Sequence, residues 1–154
     1  MLDRLRRVLP GLWAGVLLCI ATIAAPAAFA LLDRPVAGQV VGWLFAREAW
    51  LSLVAAVALM AIERQRARAA AAAGQGSVLS TELLLLLATV FCTVAGYFAL
   101  QPLMAQARIG QGPLSFGQLH AISVGFFLAK LLCILALAWR AAGPGGAVSR
   151  PRAS

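Results

Sequence analysis

Residues Leu83 to Leu100 read LLLLLATVFCTVAGYFAL, without a single charge. As an α-helix this run is about 27 Å long, close to the roughly 30 Å hydrocarbon core of a bilayer. Ser80 or Thr81 can cap its start, Glu82 stands in the first turn where the helix dipole favours an acid, and Pro102 is expected to close it. Such a run is a membrane span.

Working outward, a similar run extends from about Gly117 to Trp139, interrupted only by Lys130, and Gly110, Gly112 and Pro113 mark the turn before it. Towards the N-terminus, Val8 to Leu32 is apolar apart from Pro10 and Pro26, and follows the basic Arg4-Leu5-Arg6-Arg7. A basic start, an apolar stretch and Ala28-Phe29-Ala30 also describe a cleavable signal peptide; this stretch is longer than most signal cores, so a retained anchor is expected. Asp33-Arg34-Pro35 ends that helix.

The run Ala49 to Ile62 is short, about 21 Å as a helix. Starting it at Leu44 lengthens it, with Arg47 and Glu48 then expected among the lipid head groups between Trp43 and Trp50. Trp13 and Trp139 also fall at span ends, so all four tryptophans are expected in an aromatic belt. The helix should continue through Arg64 to the alanine run Ala69 to Ala73 and stop at Gly74.

Composition agrees. Hydrophobic residues make up 62% of the chain and charged residues 12%, half of the quarter or so that keeps a soluble surface wet. The net charge of +8 sits in short arginine clusters (Arg4, Arg6, Arg7; Arg64, Arg66, Arg68; Arg140, Arg150, Arg152). That pattern suits topology signals and contacts with anionic lipid heads. Nucleic acid is not expected as a partner, because no aromatic residues are interleaved with the arginines to stack on bases. Cys19, Cys92 and Cys133 lie singly inside apolar runs and form no CxxC pair, so buried inert thiols are expected rather than disulfides or a metal site.

The chain therefore reads as an all-α integral membrane protein, a four-transmembrane-helix antiparallel bundle with both termini cytoplasmic. A basic N-terminus (1–10) precedes the membrane domain (11–140), with spans at about 11–32, 44–64, 81–101 and 117–139, and a disordered tail (141–154) follows. The termini and the middle loop hold nine arginines against Arg34, Arg47 and Arg108 in the other loops, which sets the orientation.

Function should lie with polar groups that are expensive to keep in lipid. His120, Ser123 and Lys130 fall within an arc of roughly 80° on the fourth helix. Glu82, Thr89, Thr93, Tyr97 and Gln101 form a slowly drifting stripe on the third. If the two helices run antiparallel, Lys130 comes level with Thr89, Ser123 with Tyr97 and His120 with Gln101, and the stripes are expected to face each other as a polar seam. Each residue also has an ordinary structural use: Lys130 can snorkel or pair, Thr89 and Thr93 can bond their own backbone, and Glu82 can serve the helix terminus. No nucleophile stands beside a base and His120 is the sole histidine, so neither an enzyme, a metal site nor a haem or other cofactor is expected. Gly117, Ala121, Gly125 and Ala129 repeat every fourth residue, a small-residue stripe that lets helices approach.

Several of these stretches resemble bacterial membrane proteins carrying domain of unknown function 4149, which are similar to the animal transmembrane protein 205. They are Trp13 and Gly15, Ala25-Pro26 with Phe29, Ala37-Gly38, Leu44-Phe45, Pro102 with Met104, and Phe116-xx-Leu119-His120-xx-Ser123. The resemblance implies four spans and a retained first helix, and brings no activity or substrate. In the animal relatives an asparagine follows the histidine by seven residues; Phe127 stands there in this chain, so a polar site shared with them is altered.

The expected function is that of a structural or accessory protein of the bacterial inner membrane, with the lipid bilayer, including anionic lipids, and a second copy or a membrane subunit as partners. The alternative is a small oligomeric transporter or channel using the polar seam between the third and fourth helices.

Overall fold

The computed structural model describes residues 2–74 and 79–143. The middle of the loop after Gly74 and most of the C-terminal tail, expected to be disordered, lie outside the described residues. Four helices account for nearly all of what is described: α1 (Leu2–Leu31), α2 (Arg34–Ala72), α3 (Thr81–Arg108) and α4 (Phe116–Ala142), each long and apolar enough to cross a membrane. Among the described residues there is no strand.

The helix ends follow local chemistry. The Ser80 hydroxyl accepts the Leu83 amide at 3.3 Å. At the start of α4, Ser115 and Gln118 form a reciprocal capping box, two orphan donors satisfied by two side chains. The alanine run carries α2 to Ala72, and Gly74, at φ +70°, ends it as expected. Gly110 and Gly112 take φ values of +76° and +102° in the turn between α3 and α4.

Three expectations about helix extent need correction. The basic N-terminus is not a separate segment but the first turns of α1. Pro35, which separates the first two helices, also sits in the first turn of α2, where its missing N–H has no partner to lose; α2 therefore begins ten residues before the expected span. Pro102 does not close α3, which continues to Arg108. A π-helical segment, Val94–Ala99, precedes that proline, and another, Ile20–Ala24, precedes Pro26 in α1. Each covers the residue four before its proline (Phe98 and Thr22), whose carbonyl the ring would otherwise strike. The wider turn relieves the clash, and the helix runs on.

The four helices close into a ring: successive helices pack together, and α1 packs along α4. Near the start of α1, Arg6 pairs with Glu63 and Asp3 with Arg66, both towards the end of α2. Glu82, near the start of α3, pairs with Arg140, near the end of α4. The core is built from Trp13 and Leu17 of α1, Ala55, Ala56 and Leu59 of α2, Leu86 of α3, and Leu131, Ile134 and Leu137 of α4. Outward, the helices expose Leu12, Ile23, Val54, Val57, Phe91 and Leu132 among many other large apolar side chains. Water would penalise so continuous an apolar exterior, whereas acyl chains match it. The chain is a multi-pass membrane protein of four candidate spans.

Trp43, Trp50 and Trp139 are exposed, but Trp13 is buried in the core rather than placed in a belt. Cys19 likewise is exposed on α1, while Cys92 and Cys133 are half-buried.

Candidate functional site: a buried ion pair inside the bundle

Lys130 lies near the midpoint of α4 and is only 4% exposed. Its Nζ donates to both carboxylate oxygens of Glu48 on α2, at 2.8 and 2.9 Å. Glu48 is equally buried, which corrects the expectation that it lies at the head groups. The early start of α2 is the cause: it puts Glu48 four turns into the helix, on the inward face. Arg47, one residue and about 100° away, points outward and lays its guanidinium over Trp43, 5.1 Å from the ring centre.

One turn after Glu48, the Ser52 hydroxyl donates to the Glu48 carboxylate and accepts the Trp13 indole N–H at 2.9 Å. The result is a chain from Trp13 on α1, through Ser52 and Glu48 on α2, to Lys130 on α4. Phe127 flanks it, with the ammonium 5.3 Å from its ring centre, and Phe45 of α2 meets Phe127 edge to face at 5.6 Å. Lone charges are expensive at this depth. Here they cancel, and among the described residues no buried side-chain nitrogen or oxygen lacks a hydrogen-bond partner.

The polar seam expected between α3 and α4 is only partly assembled. Thr89 and Thr93 are buried, yet their hydroxyls donate within their own helix, to Leu86 O at 2.7 Å and Thr89 O at 2.8 Å. Lys130 turns to α2 rather than to Thr89. Ser123 does cross to α3, donating to the Gly96 carbonyl at 2.8 Å, beside Tyr97 with which it was expected to be level. The helices touch there: an added Cβ on Gly96 would collide with Cβ of Phe126. Tyr97 is half-buried and meets Phe98 edge to face, and Gln101 is half-buried. His120 is exposed and lies outside the seam, its ring stacked on Phe116 at 5.9 Å, with the Arg108 guanidinium 4.8 Å from the same Phe116 ring centre. Near the start of α4 the inward arc is too narrow to take in both Leu119, which is buried, and His120 beside it.

A second polar cluster closes one end of the bundle. Arg6, Glu63 and Glu82, with Pro10, Leu59 and Leu86, line a cavity of about 10 Å³, room for about one water molecule. Arg140 bonds Glu82 at 2.8 Å. Among the described residues no group of three or more His, Cys, Asp or Glu side chains is placed to hold a metal ion.

Glu48, Ser52 and Trp13 went unseen in the sequence, although one signal pointed to them. A lysine in mid-span needs a counter-charge, and of the five acids only Glu48 is far from every helix end.

The family model for a domain of unknown function, DUF4149, matches residues 8–112. It takes in α1 from Val8 onward and all of α2 and α3, including Trp13, Glu48 and Ser52, and stops before α4 and Lys130. No curated protein and no solved structure matches the chain. With more than half of its length matched, the chain belongs to the DUF4149 family of proteins of unknown function.

Proposed function

We propose that the protein is a structural or accessory component of the bacterial inner membrane, which packs against a second copy or a larger membrane complex. Its four helices cross the bilayer in antiparallel order, with both termini in the cytoplasm. The order is supported by the Arg6–Glu63 and Glu82–Arg140 pairs, which join helix starts to helix ends. The orientation is supported by the nine arginines of the termini and the middle loop. At that end Arg4, Arg64 and Arg68 are exposed, suited to the phosphates of anionic lipids.

One observation carries the structural role: among the described residues, the buried polar side chains of the bundle interior bond to one another or to backbone carbonyls, so none of them is left directed at a substrate. Purification in mild detergent followed by mass spectrometry tests it. A stoichiometric membrane subunit or a stable homo-oligomer is expected; a monomer retaining neither would overturn it.

A second reading, a small oligomeric transporter, is favoured by the charged pair itself, since ionisable groups inside a membrane commonly mark ion or substrate pathways. Flux into liposomes that is present for the wild type and lost in Lys130→Met would support it; no flux for either would remove it.

A further inference from the structure

The Glu48–Lys130 pair is more than packing requires. Apolar residues of similar volume generally hold a core as well as a buried ion pair does, or better. The pair also joins helices that are not neighbours in the ring. α2 and α4 stand across the ring from each other, and their backbones do not approach as those of neighbouring helices do. Side chains bridge the gap: the ion pair, and the edge contact of Phe45 with Phe127.

We propose that the Glu48 carboxylate is a proton-binding site within the membrane, and that α2 and α4 part at the bundle centre when it is filled. This goes beyond the structural role above and does not rest on it. In the closed state carboxylate and ammonium cancel. One proton taken from water onto a Glu48 oxygen leaves a neutral acid, which still bonds Ser52. Lys130 keeps its own proton and loses its counter-charge, which leaves an unpaired ammonium in the bundle interior and weakens the contact that holds α4 to α2. Opening therefore takes up one proton and is favoured by acid.

The neighbouring ionisable groups leave this exchange to the pair. On α3, Cys92 lies near Lys130 and near Cys133 of α4, and Tyr97 meets Phe98. On α2 the adjacent Arg47 is exposed and stacked on Trp43. The ionisable residues of α1 are the exposed Cys19 and those of its first two turns, of which Asp3 and Arg6 are paired with Arg66 and Glu63.

Trp13 makes the event observable, because its indole N–H ends the same hydrogen-bond chain. The full-length chain with Trp43→Phe, Trp50→Phe and Trp139→Phe keeps Trp13 as its one tryptophan. In phosphatidylcholine vesicles its emission should shift to longer wavelength in a single-proton transition as the pH is lowered. Adding Glu48→Gln should abolish the transition and fix the emission at its acid value. Should that variant fail to fold, Glu48→Met with Lys130→Met, which replaces both charges by apolar side chains, should also be insensitive to pH. No transition in the starting protein, or the same transition without Glu48, would overturn the proposal. The vesicles hold this chain alone, so such a failure would leave the search for a partner subunit untouched.

Discussion

Replacing Glu48 by leucine strands the Lys130 ammonium in the bundle interior. Lys130 lies twelve residues before the end of α4, about 18 Å along the axis and beyond the reach of a lysine stem without distortion. Removing one member of a buried pair costs about 3–5 kcal/mol, which corresponds to a fall of roughly 10²- to nearly 10⁴-fold in the folding equilibrium. Lys130→Met should cost less, because the orphaned Glu48 carboxylate can take up a proton and become neutral. The double variant should lie within about 1 kcal/mol of wild type, or above it, since it swaps an ion pair for apolar packing. Reversible unfolding of the four proteins in mixed micelles, titrated with a denaturing detergent and followed by circular dichroism, yields the cycle. Single variants each costing under about 1 kcal/mol, with a double equal to their sum, would refute the claim that these side chains hold each other inside the bundle.

Two further substitutions probe the packing around that pair. Gly96→Ala should destabilise the bundle by about 1–3 kcal/mol in the same assay, because the new methyl meets Cβ of Phe126, an atom fixed to the α4 backbone that cannot swing aside. Trp13→Phe keeps the ring burial but removes the donor to Ser52, so a loss of about 1 kcal/mol is expected, with little change when Trp139, exposed on the lipid side, is altered in the same way.

The architecture was legible because membrane spans are written in composition: a charge-free run such as Leu83 to Leu100 has few alternatives, and the alanine run that ends at Gly74 marked its own boundary. The details that failed depend on contacts between distant residues. Pro102 looks like a terminator in isolation, but a π-helical turn just before it absorbs the clash. Glu48 beside Arg47 looks like an interfacial pair, and only the register of α2 against α4 separates the two, one inward onto Lys130 and one outward onto Trp43. Trp13 followed the same error, since an indole near a helix start suits an interface unless a buried hydroxyl such as Ser52 awaits it. His120 and Lys130 fall on one arc by helical periodicity. Whether that arc is buried depends on the neighbours at each level, which periodicity does not carry.

The central claim is a bundle threaded through the membrane with its arginine-rich ends on the cytoplasmic side. It is tested most directly by fusing a reporter that is active only in the periplasm at two points, within the turn after Gly112 and after Ser154. The turn fusion should be active and the C-terminal fusion silent in cells expressing equal amounts of each. Activity after Ser154 together with silence at Gly112 would invert the bundle, and recovery of the unfused chain in the supernatant after membranes are pelleted would remove it from the bilayer altogether.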